Sequence, residues 1–232
     1  VQQINYDTLI KDPAALLVMQ NQPKETLLLA LLRVSVKDAR QAVFWYQNLN
    51  GDQLFSEAER ALFWNLTGFE GINRLWPEAL EWFMKAPRQN HYRIKNNTLA
   101  AWKARAGVRA SHWRFTLMAI SEMSESMANL PDWIYWKGKA LSMTNRQTEA
   151  RTLWASIAAQ PVYYGILSAE EIGHVVTLPA ARRAADNDMR PMVVSPGMVR
   201  AMLLFDAGLR IEGMREWFYT VREMSDSQLL AA

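Results

Sequence analysis

Trp102-Lys103-Ala104-Arg105-Ala106 is echoed by Trp136-Lys137-Gly138-Lys139-Ala140, 34 residues further along the chain. Thirty-four residues is the period of tetratricopeptide-type helix pairs. The second copy runs on through Asn145-Arg146, Glu149-Ala150 and Trp154, which reads as helix, tight turn, helix, with small residues letting the two helices approach. Fainter echoes are Glu78-Ala79-Leu80-Glu81-Trp82, and Ala207-Gly208 followed by Glu216-Trp217. A helix pair cannot bury its apolar face alone and must stack on neighbours. The spacing therefore predicts an all-α fold, an irregular α-solenoid (superhelix) of stacked antiparallel, tetratricopeptide-like helix pairs, about a dozen helices in all.

The rest of the chain agrees with that reading. Apolar residues recur at helical spacing, as in Ala42, Trp45, Tyr46 and Leu49, and sustained period-2 alternation of β-branched residues is not found. The pattern predicts helices over 12–20, 24–33, 36–49, 56–67, 76–86, 96–108, 112–124, 131–144, 146–159, 168–173, 195–208 and 210–222. Asp12 before Pro13 reads as a cap and first helical residue, because Pro has no N–H to leave unpaired there. Ser56 with Glu59, and Ser168 with Glu171, have capping-box spacing; Ser195-Pro196 reads as another cap and first turn. The least regular stretch, 174–194, holds Pro179, Pro191 and the charged Arg182, Arg183, Asp186, Asp188 and Arg190. It is the expected domain boundary, with room for one short helix.

Composition narrows the function classes. About half of the 232 residues are apolar, enough for a real core, and Gly (10) and Pro (9) are sparse, which argues against disorder and a turn-rich β domain. The absence of Cys excludes a disulfide scaffold, a zinc-thiolate site and a cysteine nucleophile. A net charge of +3 gives no strong global field of the kind a DNA-coating protein needs, so no nucleic-acid partner is expected. Val1 opens a polar segment, so a mature protein or a cut fragment is expected. The longest charge-free stretch, Thr152 to Ala169, contains Ser156, Gln160, Pro161, Gly165 and Ser168 and is no membrane span.

Charge is nevertheless uneven. From Trp82 to Ser121 there is no Asp or Glu, while Lys85, Arg88, Arg93, Lys95, Lys103, Arg105, Arg109 and Arg114 fall there with His91 and His112. Long Lys and Arg side chains usually point outward, which predicts a basic surface for an anionic polymer or acidic partner; the alternative is an ordinary solvated helix face. Arg105 and Arg109, four apart, share one helical face and are the candidate residues for such a partner. The acidic pairs Glu122/Glu125, Glu170/Glu171 and Asp186/Asp188 sit in polar or capping contexts, unlike a glycosidase acid of raised pKa set in a pocket, and are read as surface or cap residues. Glu122 and Glu125 are expected on one solvated helix face. His91, His112 and His174 share no metal-ligand spacing, and no Walker, Rossmann or G-x-S-x-G pattern occurs, so no metal, cofactor or catalytic residue is assigned. The ten Trp could line a sugar groove, but Trp102, Trp133, Trp136 and Trp154 fall at packing positions and are expected in the core.

Tyr163-Tyr164-Gly165-Ile166-Leu167-Ser168-Ala169-Glu170-Glu171-Ile172-Gly173 resembles the aromatic-Tyr-Gly-x-x-(Ala/Ser)-Ala-Glu-x-(Leu/Ile)-Gly segment of the soluble lytic murein transglycosylases. Upstream, Trp133, Trp136, Ala140-Leu141, Asn145-Arg146 and Glu149-Ala150 look like a helix pair of the same family. Downstream, Ala207-Gly208-Leu209, Arg215-Glu216-Trp217 and Ser225-Asp226-x-Gln228-Leu229 are similar to its linker helices. The resemblance covers roughly residues 96–232, and the order of the motifs strengthens it.

It implies a periplasmic enzyme of a Gram-negative bacterium in three parts. A U-shaped superhelical domain and a small linker domain form a ring with a lysozyme-like catalytic domain, which cleaves the MurNAc–GlcNAc bond of peptidoglycan to a 1,6-anhydro product. The family's catalytic Glu lies in an E-S-x-F motif followed by a glycine-rich segment. Glu125-Ser126 lacks both the Phe and that follow-up, so no catalytic residue carries over.

The expectation is therefore residues 1–173 as the C-terminal part of the superhelical domain and 174–232 as the linker domain. This would be the non-catalytic helical portion, scaffolding a catalytic domain missing from this chain and contacting glycan strands, with Arg105 and Arg109 as the candidate glycan-binding residues. The rival readings are a stand-alone tetratricopeptide-like protein-binding adaptor, resting on the 34-residue repeat, and a glycosidase using Glu122 or Glu125.

Overall fold

The computed structural model describes residues 6–87, 96–175 and 183–232, and all regular structure among them is α-helical. The chain divides into two compact units, Val1–Val176 and Thr177–Ala232. The first contains α1 (Tyr6–Lys11), α2 (Pro13–Val18), α3 (Lys24–Lys37), α4 (Ala39–Asn48), α5 (Gly51–Leu54), α6 (Glu57–Asn73), α7 (Ala79–Lys85), α8 (Asn97–Arg109), α9 (Trp113–Ser121), α10 (Glu125–Ala128), α11 (Pro131–Ser142), α12 (Gln147–Ile157) and α13 (Tyr163–Glu171). The second contains α14 (Asp186–Val193), α15 (Pro196–Asp206), α16 (Arg210–Val221) and α17 (Asp226–Ala231).

Helix starts follow the local chemistry. Asp12 accepts from the Ala15 N–H at 3.3 Å, with Pro13 as the first helical residue. Ser56 and Glu59 close both halves of a capping box. Pro196 begins α15 as expected, although the Ser195 side chain makes no capping bond. The predicted box at Ser168 and Glu171 is not formed. Helix α13 begins at Tyr163, so Ser168 lies inside it, fully buried. Gly165 packs inside the helix: a Cβ there would strike the backbone carbonyl of Gln160. Likewise α3 runs on to Lys37, and the break falls at Asp38, whose carboxylate caps α4 by accepting from the Arg40 and Gln41 N–H groups at 2.9 and 3.1 Å. Helix α6 continues through Gly68 and Gly71 to Asn73.

Helix ends share one device. In the turns after α6, α8 and α11, Leu75, Ser111 and Asn145 adopt left-handed backbone, with φ of 58°, 54° and 63°. Each turn is closed by a six-to-one hydrogen bond, Trp76 N–H to Gly71 O, His112 N–H to Gly107 O and Arg146 N–H to Leu141 O, at 2.8–2.9 Å. These are Schellman stops, and they reverse the chain into the next helix. Gly173 and Gly208 end α13 and α15 in the same way. Ser111 and Asn145 lie 34 residues apart, so the repeat extends to the turn that makes the hairpin.

The hairpins α6–α7, α8–α9, α11–α12 and α15–α16 are the tightest packings. In the first unit each pair rests on the next, α6 on α8, α9 on α11 and α11 on α13. Its core is correspondingly serial. Leu31, Tyr46, Phe63 and Trp64 form the first cluster, Ile72, Phe83, Ala106 and Phe115 the next. Ala104, Ala119, Ile120 and Trp133 form a third and Tyr135, Ala150, Trp154 and Ile157 a fourth. Met118 and Trp136 bridge consecutive clusters. This is the stacked helix-pair solenoid that the repeat predicts.

Leu75 holds left-handed backbone although its side chain is 59% exposed, so little packing compensates the strain. A non-Gly residue there costs about 1–2 kcal/mol, part of which Gly returns through a freer unfolded chain. Leu75→Gly is expected to stabilise the protein by about 0.5–1 kcal/mol, raising the melting midpoint by about 1–4 °C. Thermal unfolding of the two proteins side by side checks this.

Candidate binding site on α8, α11 and α13

One shallow cavity of about 290 Å³ brings three helices of the first unit together. Helix α8 supplies Arg105, Val108 and Arg109, α11 supplies Asp132, Trp133 and Trp136, and α13 supplies Tyr164. The two arginines singled out from sequence thus lie in one site. Both are exposed, and both are held. The Arg105 guanidinium lies 5.0 Å from the ring centre of Trp102 and 5.2 Å from that of Trp133. Arg109 donates from Nη2 to the Leu75 carbonyl at 3.3 Å. Stacking occupies the face of a guanidinium and leaves its N–H edge free for an acceptor.

The aromatic wall is fixed from behind. Trp133 is buried, and Trp136 packs edge-on to Tyr135 at 5.3 Å between ring centres. Tyr135 lies 5.5 Å from Tyr164, which meets the exposed ring of Tyr163 at 5.1 Å. The Tyr135 hydroxyl donates to Glu171 Oε1 at 3.1 Å, and Lys139 donates to the same oxygen at 2.7 Å. Burial, reinforced by the Glu171 carboxylate, pushes the Tyr135 phenol up to about 12, so it stays a donor at physiological pH. Glu171 therefore ties α13 to α11 instead of capping α13, which is where the capping-box reading of the sequence went wrong.

The basic stretch is only partly a surface. Lys103 is buried at 8% exposure and pairs with Glu122 at 3.0 Å, so it does not point outward as expected. Lys85 is taken up by Glu81 at 2.7 Å, one turn earlier on α7. Arg114 is exposed. Arg88, His91, Arg93 and Lys95 lie outside the described residues. His112 caps α9, its Nδ1 accepting from the Phe115 N–H at 3.3 Å.

Glu122 and Glu125 do not share a helix face. Glu122 is the C-cap of α9, and Glu125 opens α10 after the turn that Asn97 pins by accepting from the Ser124 N–H at 2.7 Å. Glu122 is thus the counter-ion of a buried lysine and not simply solvated. Glu170 and Asp186 are exposed. Trp133 and Trp154 are core residues as expected; Trp102 and Trp136 are half-buried, and Trp136 has one face on the cavity. Asp132 and Tyr164 escaped the sequence reading as site residues, since nothing in the local pattern shows that α11 and α13 converge on α8. Among the described residues no group of three His, Asp or Glu side chains is placed to hold a metal ion, and no helix is long and apolar enough to cross a membrane.

No protein-family model and no curated protein sequence matches the chain. Solved structures do. An inactive variant of the lytic transglycosylase Slt of Pseudomonas aeruginosa matches 98% of this chain with a TM-score of 0.68 at 20% identity, over 38% of its own length. The 70-kDa soluble lytic transglycosylase in complex with bulgecin A matches 97% with a TM-score of 0.64 at 19% identity, over 37% of its length. The Escherichia coli 70-kDa enzyme matches 97% with a TM-score of 0.62 at 18% identity, over 36% of its length. In fold, the chain resembles a helical part of the soluble lytic transglycosylases. It spans a little over a third of the length of the structures it matches.

Glu122→Gln tests the structural role of that carboxylate. Removing one partner of a fully buried pair costs about 3–5 kcal/mol; the 38% exposure of the Glu122 side chain reduces this to about 1–2 kcal/mol. Denaturant unfolding is expected to show the loss, whereas Glu125→Gln, at the exposed start of α10, is expected to be near neutral.

Proposed function

We propose that the chain is the non-catalytic helical portion of a periplasmic peptidoglycan lytic transglycosylase of a Gram-negative bacterium. Residues 1–173 are the later part of the superhelical domain and 174–232 the small linker domain. The role is to hold a lysozyme-like catalytic domain and to contact murein near it. One observation carries the reading: the fold likeness to three lytic transglycosylase structures runs over nearly the whole chain. The transglycosylase-like motifs occur along this sequence in the family's order, which supports the same reading independently. The adaptor alternative has no observation of its own, since the helix pairs behind it are equally those of the transglycosylase-like fold.

Murein supplies the chemistry that the α8–α11–α13 site suits. Its stem peptides carry carboxylates on short aliphatic stems. Two fixed guanidiniums beside Trp136 and Tyr164 offer complements to a carboxylate and to the aliphatic stem that carries it. Exposed contacts of this kind are individually weak and screened by salt, so binding is expected to be weak and salt-sensitive.

The test is co-sedimentation with purified murein sacculi. The parent chain is expected to bind at low salt and to be released at high salt, with Arg105→Glu plus Arg109→Glu binding several-fold less. A parent that stays in the supernatant at low salt, or a charge-reversed protein that sediments equally, contradicts the murein-contact role.

A further inference from the structure

Charges of both signs line the α8–α11–α13 cavity without neutralising one another. Arg105 and Arg109 come from α8 and Asp132 from α11, and none of the three belongs to an ion pair among the described residues. Comparable cations nearby do find acids, as in Arg40–Glu78, Lys85–Glu81 and Lys139–Glu171. The repeat makes the contrast direct, because Lys139 occupies in the second copy the position of Arg105 in the first. Lys139 is satisfied by Glu171, while Arg105 lies within cation–π distance of two indoles and has no carboxylate partner among the described residues.

Three kinds of ligand compete for such a site. A simple polyanion would suit the arginines but meet Asp132 in the same small space. A neutral sugar ring would suit the aromatic faces but would desolvate three charges without pairing them, which is costly. A ligand with one anion and one cation a few bonds apart satisfies all three. The volume, at the low end of the about 300–1,000 Å³ usual for ligand pockets, suits a group the size of one amino-acid residue.

The geometry points to a site for a zwitterionic amino-acid group, its carboxylate on Arg105 and Arg109, its ammonium on Asp132 and its aliphatic stem against Trp136 and Tyr164. Planar carboxylate recognition by guanidinium is directional, and the two arginines are already held in place, so little ordering cost attends binding. In biological terms the inference rests on the murein reading, because the free end of a diamino acid in a stem peptide is the source of such a group. The site chemistry stands without it.

The probe is free meso-diaminopimelate, followed by the indole N–H resonances of Trp133 and Trp136 in the full chain. Saturable shifts are expected. The di-N-acetyl derivative, which keeps the carboxylates and loses the ammonium charges, is expected to bind about fivefold more weakly, the scale of one exposed ion pair. Asp132→Asn is expected to erase that difference, and Arg105→Gln or Arg109→Gln to weaken both ligands while the remaining spectrum stays that of the folded parent. Absence of saturable shifts, or equal binding of the free and acetylated compounds by the parent, overturns the assignment. If sacculi bind but the diamino acid does not, the zwitterion site is wrong and the murein reading stands. If the diamino acid binds with the expected discrimination but sacculi do not, the site is right and the murein reading fails.

Discussion

Helices in this protein pair by placing a side chain of one where the other has no Cβ. A Cβ on Gly138 would lie 2.5 Å from Nε1 of Trp154, and one on Gly107 2.5 Å from Oγ1 of Thr116. Gly68 and Gly71 receive Phe83 and Trp82 in the same way, within the α6–α7 hairpin. In the second unit Gly197 receives Thr220 and Gly213 receives Phe205, within α15–α16. Gly inside a helix costs about 1 kcal/mol relative to Ala, and close packing of a large side chain at the seat offsets that cost. Each seat also fixes the register of its hairpin, since a one-residue slip would bring a Cβ into the indole or phenyl ring.

The candidate site is built on one of these seats. Gly138 lets α12 approach until Trp154, 1% exposed, donates from its indole N–H to the Tyr135 carbonyl at 3.3 Å. Tyr135 in turn packs against Trp136 and Tyr164 and shares Glu171 with Lys139. The same contacts thus set the rotation of α11 and the docking of α13. Trp133, one turn before Trp136 and Gly138 on α11, then meets Arg105 of α8. The cavity is a consequence of serial hairpin packing and not of a loop built for the purpose, which accounts for its shallow form.

Much of this was legible in the sequence, and the illegible parts have physical causes. The 34-residue echo identified the α8–α9 and α11–α12 pairs because a solenoid imposes the same small and large residues at the same places in each pair. Asp12-Pro13 and Ser56/Glu59 were legible because capping is local chemistry. Stops were harder, since the left-handed turn residues include Leu75 and Ser111, which take a conformation that sequence reasoning reserves for Gly or Asn. Helices α6 and α13 extend past their expected bounds, through glycines that serve as packing seats. Arg105 and Arg109 could be placed on one helical face, but Asp132 and Tyr164 join them only through the packing of α11 and α13. Lys103 and Glu122 looked like surface residues until their helices brought them together in a half-buried pair.

The close-approach account has a sign that helix propensity alone does not share. Replacing Gly138 by Ala should stabilise an interior helical position by about 1 kcal/mol if the backbone is all that matters. With the Trp154 indole seated on the missing Cβ, Gly138→Ala should instead destabilise the chain by about 1–3 kcal/mol, as overpacking of a filled core does. The change should also move the NMR signals of Tyr135 and Tyr164. Equilibrium unfolding of Gly138→Ala beside the parent, with those ring resonances recorded, is the most direct measurement. A lower stability with displaced Tyr135 and Tyr164 signals is the predicted result; a more stable protein with both rings unmoved would contradict the account.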